Sequence, residues 1–253
     1  TGAEFYSNIF AINESPIEEG VIWVGSDDGL IHVSKNDGET WENVTPPTSI
    51  CPKLNMINSI DPSPFKKGTA YVAATLYKFG DYTPYLYKTE NYGETWSLIT
   101  KGIPKNYYTR VIRSDKTREG LLYAGTEWGM FISFDDGNSW KSFQLNLPIS
   151  SIRDLHVKEK HLIAATHGRS FWMIDDLSTL HQLNNSLGLQ DFHLFEPNSA
   201  YRLSQSNESK NTNYRLVGKN HPNGAILHFY INKLKEGDKI SLEIKEKNGK
   251  LIQ

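Results

Sequence analysis

The sequence predicts an all-β chain: part of a multi-bladed β-propeller made of four-stranded units, followed by an incomplete β-sandwich. Three observations predict it. An eight-residue turn is spelled three times, as SKNDGETW from Ser34 to Trp41, TENYGETW from Thr89 to Trp96 and SFDDGNSW from Ser133 to Trp140. A short apolar run ending in a small residue and a hydroxyl precedes each turn, as VIWVGS, AYVAAT and LLYAGT, and returns once more as LIAAT. The hydroxyls that close these runs, Ser26, Thr75, Thr126 and Thr166, are spaced by 49, 51 and 40 residues, near the roughly 40–50 residues of a four-stranded propeller blade.

The first unit runs from about Phe5 to Val44, the second from about Met56 to Ile99 and the third from about Tyr108 to Leu147. The fourth starts near Ile152 and passes through FWMIDD to LSTLHQL. In the third unit TRVIRSD is the innermost strand, GLLYAGT the second, GMFIS the third and SWKSFQL the outermost. These runs are rich in Val, Ile, Tyr, Phe and Trp and are bounded by Gly, Asp, Asn and Pro, as strands and turns are. Helical periodicity is nearly absent. The fourth unit lacks the octet, as terminal repeats often do.

The octet falls between third and fourth strands, which makes it a hairpin turn. The hydroxyls of Ser34, Thr89 and Ser133 are placed to bond across it. Asn36, Asn91 and Asp135 carry short polar side chains that accept backbone N–H bonds. Gly38, Gly93 and Gly137 supply a positive φ. Trp41, Trp96 and Trp140 open the outer strand, each able to wedge between sheets and bury ~150–250 Å².

Composition excludes several classes. The 253 residues are 38% apolar, with 6 Trp and 13 Tyr, enough to form a core. A formal charge of -2 gives no footprint for nucleic acid or an anionic membrane. No apolar run approaches the ~18 residues of a membrane span. Cys51 is the one cysteine, so an intrachain disulfide and a cysteine zinc site are excluded. H-E-x-x-H and G-x-S-x-G do not occur. The NDG and DDG turns lack the 12-residue spacing of a calcium loop. No metal or cofactor is expected. The chain opens beside one strand, NIFAI, and stops inside another, KLIQ, and reads as a piece of a longer protein.

The octets match S-x-[DN]-x-G-x-[ST]-W, and in this they resemble the Asp-box of BNR-type β-propellers. GLLYAGTEWGMFISFDDGNSWKSFQLNLP, LIAATHGRSFWMIDDLSTLHQL and PYLYKTENYGETW are similar to a large bacterial family described as sortilin-like or BNR-repeat glycosyl hydrolase proteins. The resemblance covers about Ile9 to Leu183. It implies the propeller fold. It leaves activity open, because the hydrolase description in that family rests on the fold itself. It also implies that the octet is scaffolding, held away from the ligand face.

Function is then expected on the opposite face, where second strands turn into third strands. These turns are SDDG, TLYKFGDYTPY, TEWG and THGRS. They bring Asp27, Asp28, Tyr77, Lys78, Asp81, Tyr82, Glu127, Trp128, His167 and Arg169 to one mouth. Turns require polar residues, but not Trp, His and Arg. Aromatics beside charges suit a peptide, a protein or a glycan. Tyr77, Lys78, Asp81, Tyr82, Trp128, His167 and Arg169 are the candidate ligand contacts, and arginine pairs bidentately with carboxylates. Asp27, Asp28 and Glu127 are the candidate carboxylates for a glycosidase, which needs two flanking the bond. Each also has a structural role open to it: Asp27 and Asp28 as turn formers, Glu127 in a salt bridge to a neighbouring blade, Trp128 packed flat on the next loop, Arg169 clamping Asp175 or Asp176. The sialidase signature R-I-P is absent. The leading expectation is a sortilin-like binding platform in a secreted, periplasmic or cell-surface bacterial protein, and the alternative is a glycoside hydrolase.

The blades are expected over residues 1–183, a linker rich in Asn and Ser over 184–220, and the start of an immunoglobulin- or fibronectin-like sandwich over 221–253. There AILHFYIN and KISLEIKEKNGKLI alternate around an Asn248-Gly249 turn. Asn207 to Ser209 forms a glycosylation sequon.

Overall fold

The computed structural model describes residues 7–183, 187–200 and 224–252. The expected start at Phe5, the Asn207 sequon and most of the expected linker lie outside them. The chain divides into two compact units, Thr1–Leu177 and Ser178–Gln253.

The first unit holds four antiparallel sheets, each a meander in chain order. The first blade is β1 (Ile9–Glu14), β2 (Ile22–Ser26), β3 (Ile31–Ser34) and β4 (Glu42–Asn43). The second is β5 (Met56–Pro62), β6 (Ala70–Leu76), β7 (Asp81–Thr89) and β8 (Ser97–Leu98). The third is β9 (Thr109–Ser114), β10 (Leu122–Thr126), β11 (Gly129–Ser133) and β12 (Lys141–Ser142). The fourth has three strands, β13 (Ile152–Lys158), β14 (His161–Thr166) and β15 (Phe171–Ile174). Inner strands pack in succession, β1 on β5, β5 on β9 and β9 on β13.

A middle sheet is covered on both faces, so its strands are apolar on both faces. In β6, Val72 joins Trp23, Ile31 and Ile57 in the cluster between the first two blades. The neighbouring Tyr71 and Ala73 point the other way, into the cluster with Ile112, Leu122 and Ala124 of the third blade. In the first and third blades the small residue that precedes the closing hydroxyl lies under the next inner strand. A Cβ on Gly25 would come within 2.3 Å of Ile57, and one on Gly125 within 2.6 Å of Ile152.

The three octets fold alike. The first hydroxyl accepts the N–H of the glycine, at 2.8 Å for Ser34–Gly38, 2.9 Å for Thr89–Gly93 and 2.9 Å for Ser133–Gly137. Asn36, Asn91 and Asp135 accept the N–H of the seventh residue, at 3.0, 3.0 and 2.8 Å. The fourth residue, Asp37, Tyr92 or Asp136, adopts a positive φ of 56°, 57° or 61°. Its N–H reaches the carbonyl of Gly20, Gly68 or Gly120 in the turn between first and second strands, at 3.1, 2.8 and 2.9 Å. Each octet therefore fastens one hairpin of its blade to the other. The accepting turns, SPIEEG, SPFKKG and DKTREG, are a second repeated signature.

The octet also ties blade to blade. Trp96 Nε1 donates to the Val44 carbonyl at 2.7 Å and Trp140 Nε1 to the Ile99 carbonyl at 2.6 Å, each acceptor belonging to the preceding blade. Gly93 and Gly137 lie so close to Val44 and Ile99 that a Cβ would sit 2.5 or 2.7 Å away, so these positions need glycine for space as well as for φ. Trp41 has no preceding blade among the described residues. It is 42% exposed, where Trp140 is 4% exposed. Beside it, a cleft of about 400 Å³ opens between Val24, His32 and Trp41.

The sequence expects LSTLHQL to continue the fourth blade. Instead, Ser178–Gln182 forms a helix, α1, in the second unit, and among the described residues the fourth blade has no outer strand. No octet indole packs on the third blade from that side. A cavity of about 40 Å³ lies there, lined by Met130, Phe143, Leu162 and Trp172. In the second unit, β16 (Phe192–Leu194) pairs with β17 (Phe229–Ile231). The Asn248-Gly249 turn is bracketed by one bridge, Lys245 to Leu251.

Candidate functional site

Octets and first-to-second turns share one end of each blade. Second-to-third turns therefore occupy the other end, together with the starts of the inner strands. At this mouth every inner strand carries a bulge, which leaves one residue without a ladder partner: Phe10, Asn58, Arg110 and Arg153. Bulges re-aim side chains. In the first, third and fourth blades, the residue after the closing hydroxyl lies beside the bulge. Its N–H bonds back to the stretch before the inner strand, Asp27 to Asn8 at 3.0 Å, Glu127 to Tyr108 at 3.1 Å and His167 to Ser151 at 2.8 Å. Three of the four blades thus offer a matched pair of positions: Phe10 with Asp27, Arg110 with Glu127, and Arg153 with His167.

The third-blade pair is a closed ion pair. Arg110 Nε and Nη2 reach Glu127 Oε2 at 3.0 and 2.9 Å, and the Ser151 hydroxyl donates to the same oxygen at 2.8 Å. The guanidinium lies over the Tyr77 and Tyr108 rings at 4.6 and 4.8 Å, a desolvated cation–π arrangement. Tyr77 stacks on Tyr108 at 5.3 Å and Tyr82 tilts against it at 5.8 Å. Burial alone would raise the Glu127 carboxyl, but the Ser151 bond and then Arg110 outweigh it and hold the group below its ordinary range.

The fourth-blade pair is open. Arg153 Nη2 meets His167 Nδ1 at 3.0 Å. Arginine only donates, so Nδ1 accepts and the ring is neutral in this contact. Arg169 contributes its backbone to the turn: its N–H bonds to the Thr166 hydroxyl at 3.2 Å, and its carbonyl receives Trp172 Nε1 at 2.8 Å. Its side chain forms no ion pair among the described residues, with Asp175 and Asp176 or with any other carboxylate.

The remaining candidates divide. Asp27 accepts the Asn8 N–H at 2.9 Å. Asp28 takes hydroxyls from Ser7 and Ser26, which overcome its partial burial and lower its pKa. Asp81 accepts the Tyr85 hydroxyl at 2.7 Å and the Thr83 N–H at 2.9 Å. Burial opposes the change, and these bonds carry its pKa down. Asp27, Asp28 and Asp81 thus shape their own turns. Lys78 and Tyr82 are exposed, and Trp128 is 49% exposed with only its N–H bound, to Thr126. Tyr77, Tyr82 and Glu127 gather around Tyr108 and Arg110, two residues that the sequence reading did not single out. Arg153 was missed in the same way. The signal was present in the repeat, since YTRV and SIRD place an arginine at the same point of consecutive inner strands.

No protein-family model matches the sequence, and no curated protein matches it. Solved structures do. YCF48 from Cyanidioschyzon merolae matches at 17% identity over 69% of this chain and 55% of its own, with a TM-score of 0.50. A structure of YCF48 bound to D1 peptide matches at 17% identity over 68% and 53%, also at 0.50. The GH74 xyloglucanase from Xanthomonas campestris matches at 15% identity over 68% and 29%, with a TM-score of 0.53. The fold is that of a β-propeller. The chain spans about half the length of YCF48 and under a third of the xyloglucanase.

On this propeller the mouth combines fixed and free chemistry. Arg110 and Glu127 neutralise one another, while Trp128, Tyr82, Arg153 and Arg169 remain open to solvent. Among the described residues no three His, Cys, Asp or Glu side chains gather to hold a metal ion. Among the described residues no helix is long and apolar enough to cross a membrane.

Proposed function

We propose that the mouth is a binding platform for a peptide or protein, on a propeller of the Asp-box, sortilin-like type, in a secreted or cell-surface setting. The carrying observation is the state of Glu127. The mouth carboxylate best placed for proton transfer has one oxygen occupied by three donors and a lowered pKa. A general acid needs the opposite shift. The exposed aromatics and arginines are recognition groups rather than proton donors. The peptide held by YCF48 is consistent with this reading, as a property of that protein. The alternative, glycoside hydrolysis, draws on the likeness to the GH74 fold and needs a second carboxylate facing Glu127. Asp27 and Asp28 stand two blades away and serve their own turn.

The test is binding of the full chain to peptide and glycan arrays, followed by reducing-sugar assay on any glycan that binds. Peptide binding weakened at least tenfold by Trp128→Ala supports the platform. Sugar release abolished by Glu127→Gln would overturn it in favour of hydrolysis.

A further inference from the structure

We propose that Arg153 is an anion receptor that takes a carboxylate of an acidic peptide at the fourth-blade side of the mouth. The inference rests on the platform reading and names the chemistry of its ligand.

The argument is internal to the repeat. Arg110 and Arg153 occupy the same bulge on consecutive blades, and Glu127 and His167 occupy the same position beside them. In the third blade the partner is a carboxylate, and Arg110 is 8% exposed and fully matched in charge. In the fourth blade the partner is a neutral imidazole, which takes one donor of Arg153 and none of its charge. Arg153 is exposed and forms no ion pair among the described residues. The adjoining Asp154 is turned away, its carboxylate 2.8 Å from Arg113. Arg169, in the same turn as His167, adds a second guanidinium without a carboxylate.

The receptor is positioned rather than dangling. The bulge fixes where Arg153 leaves the strand, and His167 holds one Nη, leaving the rest of the guanidinium fork to meet a carboxylate in the bidentate manner. Beside it, the Ser151 carbonyl anchors the His167 N–H while the Ser151 hydroxyl anchors Glu127. Trp128, in the turn that follows Glu127, is exposed at the same mouth. A carboxylate flanked by an aromatic or apolar side chain fits that pairing.

The test is fluorescence anisotropy on the full chain. The probes are a labelled peptide of alternating Tyr and Glu, its Gln-for-Glu counterpart, and labelled tri-galacturonate. The acidic peptide is expected to bind at least about tenfold tighter than the Gln peptide, the scale of one charge-assisted contact. Arg153→Met removes that preference. So does His167→Glu, which gives Arg153 the intramolecular carboxylate that Arg110 already has. Lys66→Met, an equal change of charge at the opposite end of the blades, leaves it intact. The proposal is overturned if the preference survives both mouth variants or if galacturonate binds more tightly than the acidic peptide. Equal binding of the two peptides also overturns it and leaves the platform standing. Binding of neither peptide overturns both.

Discussion

Trp140 and Trp41 hold the same place in the same octet, yet the structure predicts different costs for losing their indoles. Consider Trp140→Phe. Trp140 is 4% exposed and donates to the Ile99 carbonyl at 2.6 Å. Phenylalanine cannot donate, so a buried carbonyl loses that donor, at about 1–3 kcal/mol. The smaller ring leaves a few tens of Å³ empty, adding about 1 kcal/mol. The expected loss is roughly 2–4 kcal/mol, a fall of about 4–16 °C in Tm for a domain of this size. Trp41→Phe removes an indole that is 42% exposed and has no acceptor among the described residues; its expected cost is within about 0.5 kcal/mol. Urea and thermal unfolding followed by far-ultraviolet circular dichroism compare the two without relying on tryptophan emission. Equal losses would refute the reasoning, because they would place the octet's contribution inside its own hairpin and not in the bond to the preceding blade.

Two further outcomes follow from the same geometry. Glu127 ionises more readily in the folded chain than its ordinary value of 4.5. Its contribution to stability is therefore complete above that value and is lost as pH falls through the lowered folded pKa. Glu127→Gln, which cannot titrate, should narrow its stability gap to the parent chain as pH falls below 4.5, and acid titrations of both proteins check this. Gly125→Ala would press a methyl to within 2.6 Å of Ile152, at about 1–3 kcal/mol of overpacking, measured by the urea midpoint.

The fold was legible because each blade repeats its turn chemistry. Ser34, Asn36, Gly38 and Trp41 announce a hairpin, and three spaced copies announce a propeller. Less legible was what each octet grips. The bond from its fourth residue to Gly20, Gly68 or Gly120 joins segments 16–24 residues apart, and only the second signature, ending in those glycines, hinted at it. LSTLHQL is expected to continue the fourth blade because it follows FWMIDD without a break signal; Ser178–Gln182 instead closes into α1 in the second unit. At the mouth, the turn residues were found because turns carry visible chemistry. Arg110 and Arg153 are not among the candidates because they lie inside strands, outside the second-to-third turns in which function is expected. A bulge does not show in a single strand's alternation; it appears only when the register of two strands is known.

The two ends of the blades follow different rules, and that difference separates scaffold from site. At the octet end the same bonds recur at the same distances in three blades, and substitutions such as Asn for Asp or Thr for Ser keep the bonding capacity. At the mouth the backbone geometry also recurs, since Asp27, Glu127 and His167 make equivalent N–H bonds. The side chains there do not: Phe10 with Asp27, Arg110 with Glu127, Arg153 with His167. A pair needed only to hold the bulge would gain nothing from such variety, because the backbone bond is made in all three. The change from carboxylate to imidazole beside an unchanged arginine keeps the backbone bond as it was and alters the charge offered to solvent. On the proposed platform, that charge is what a ligand would meet.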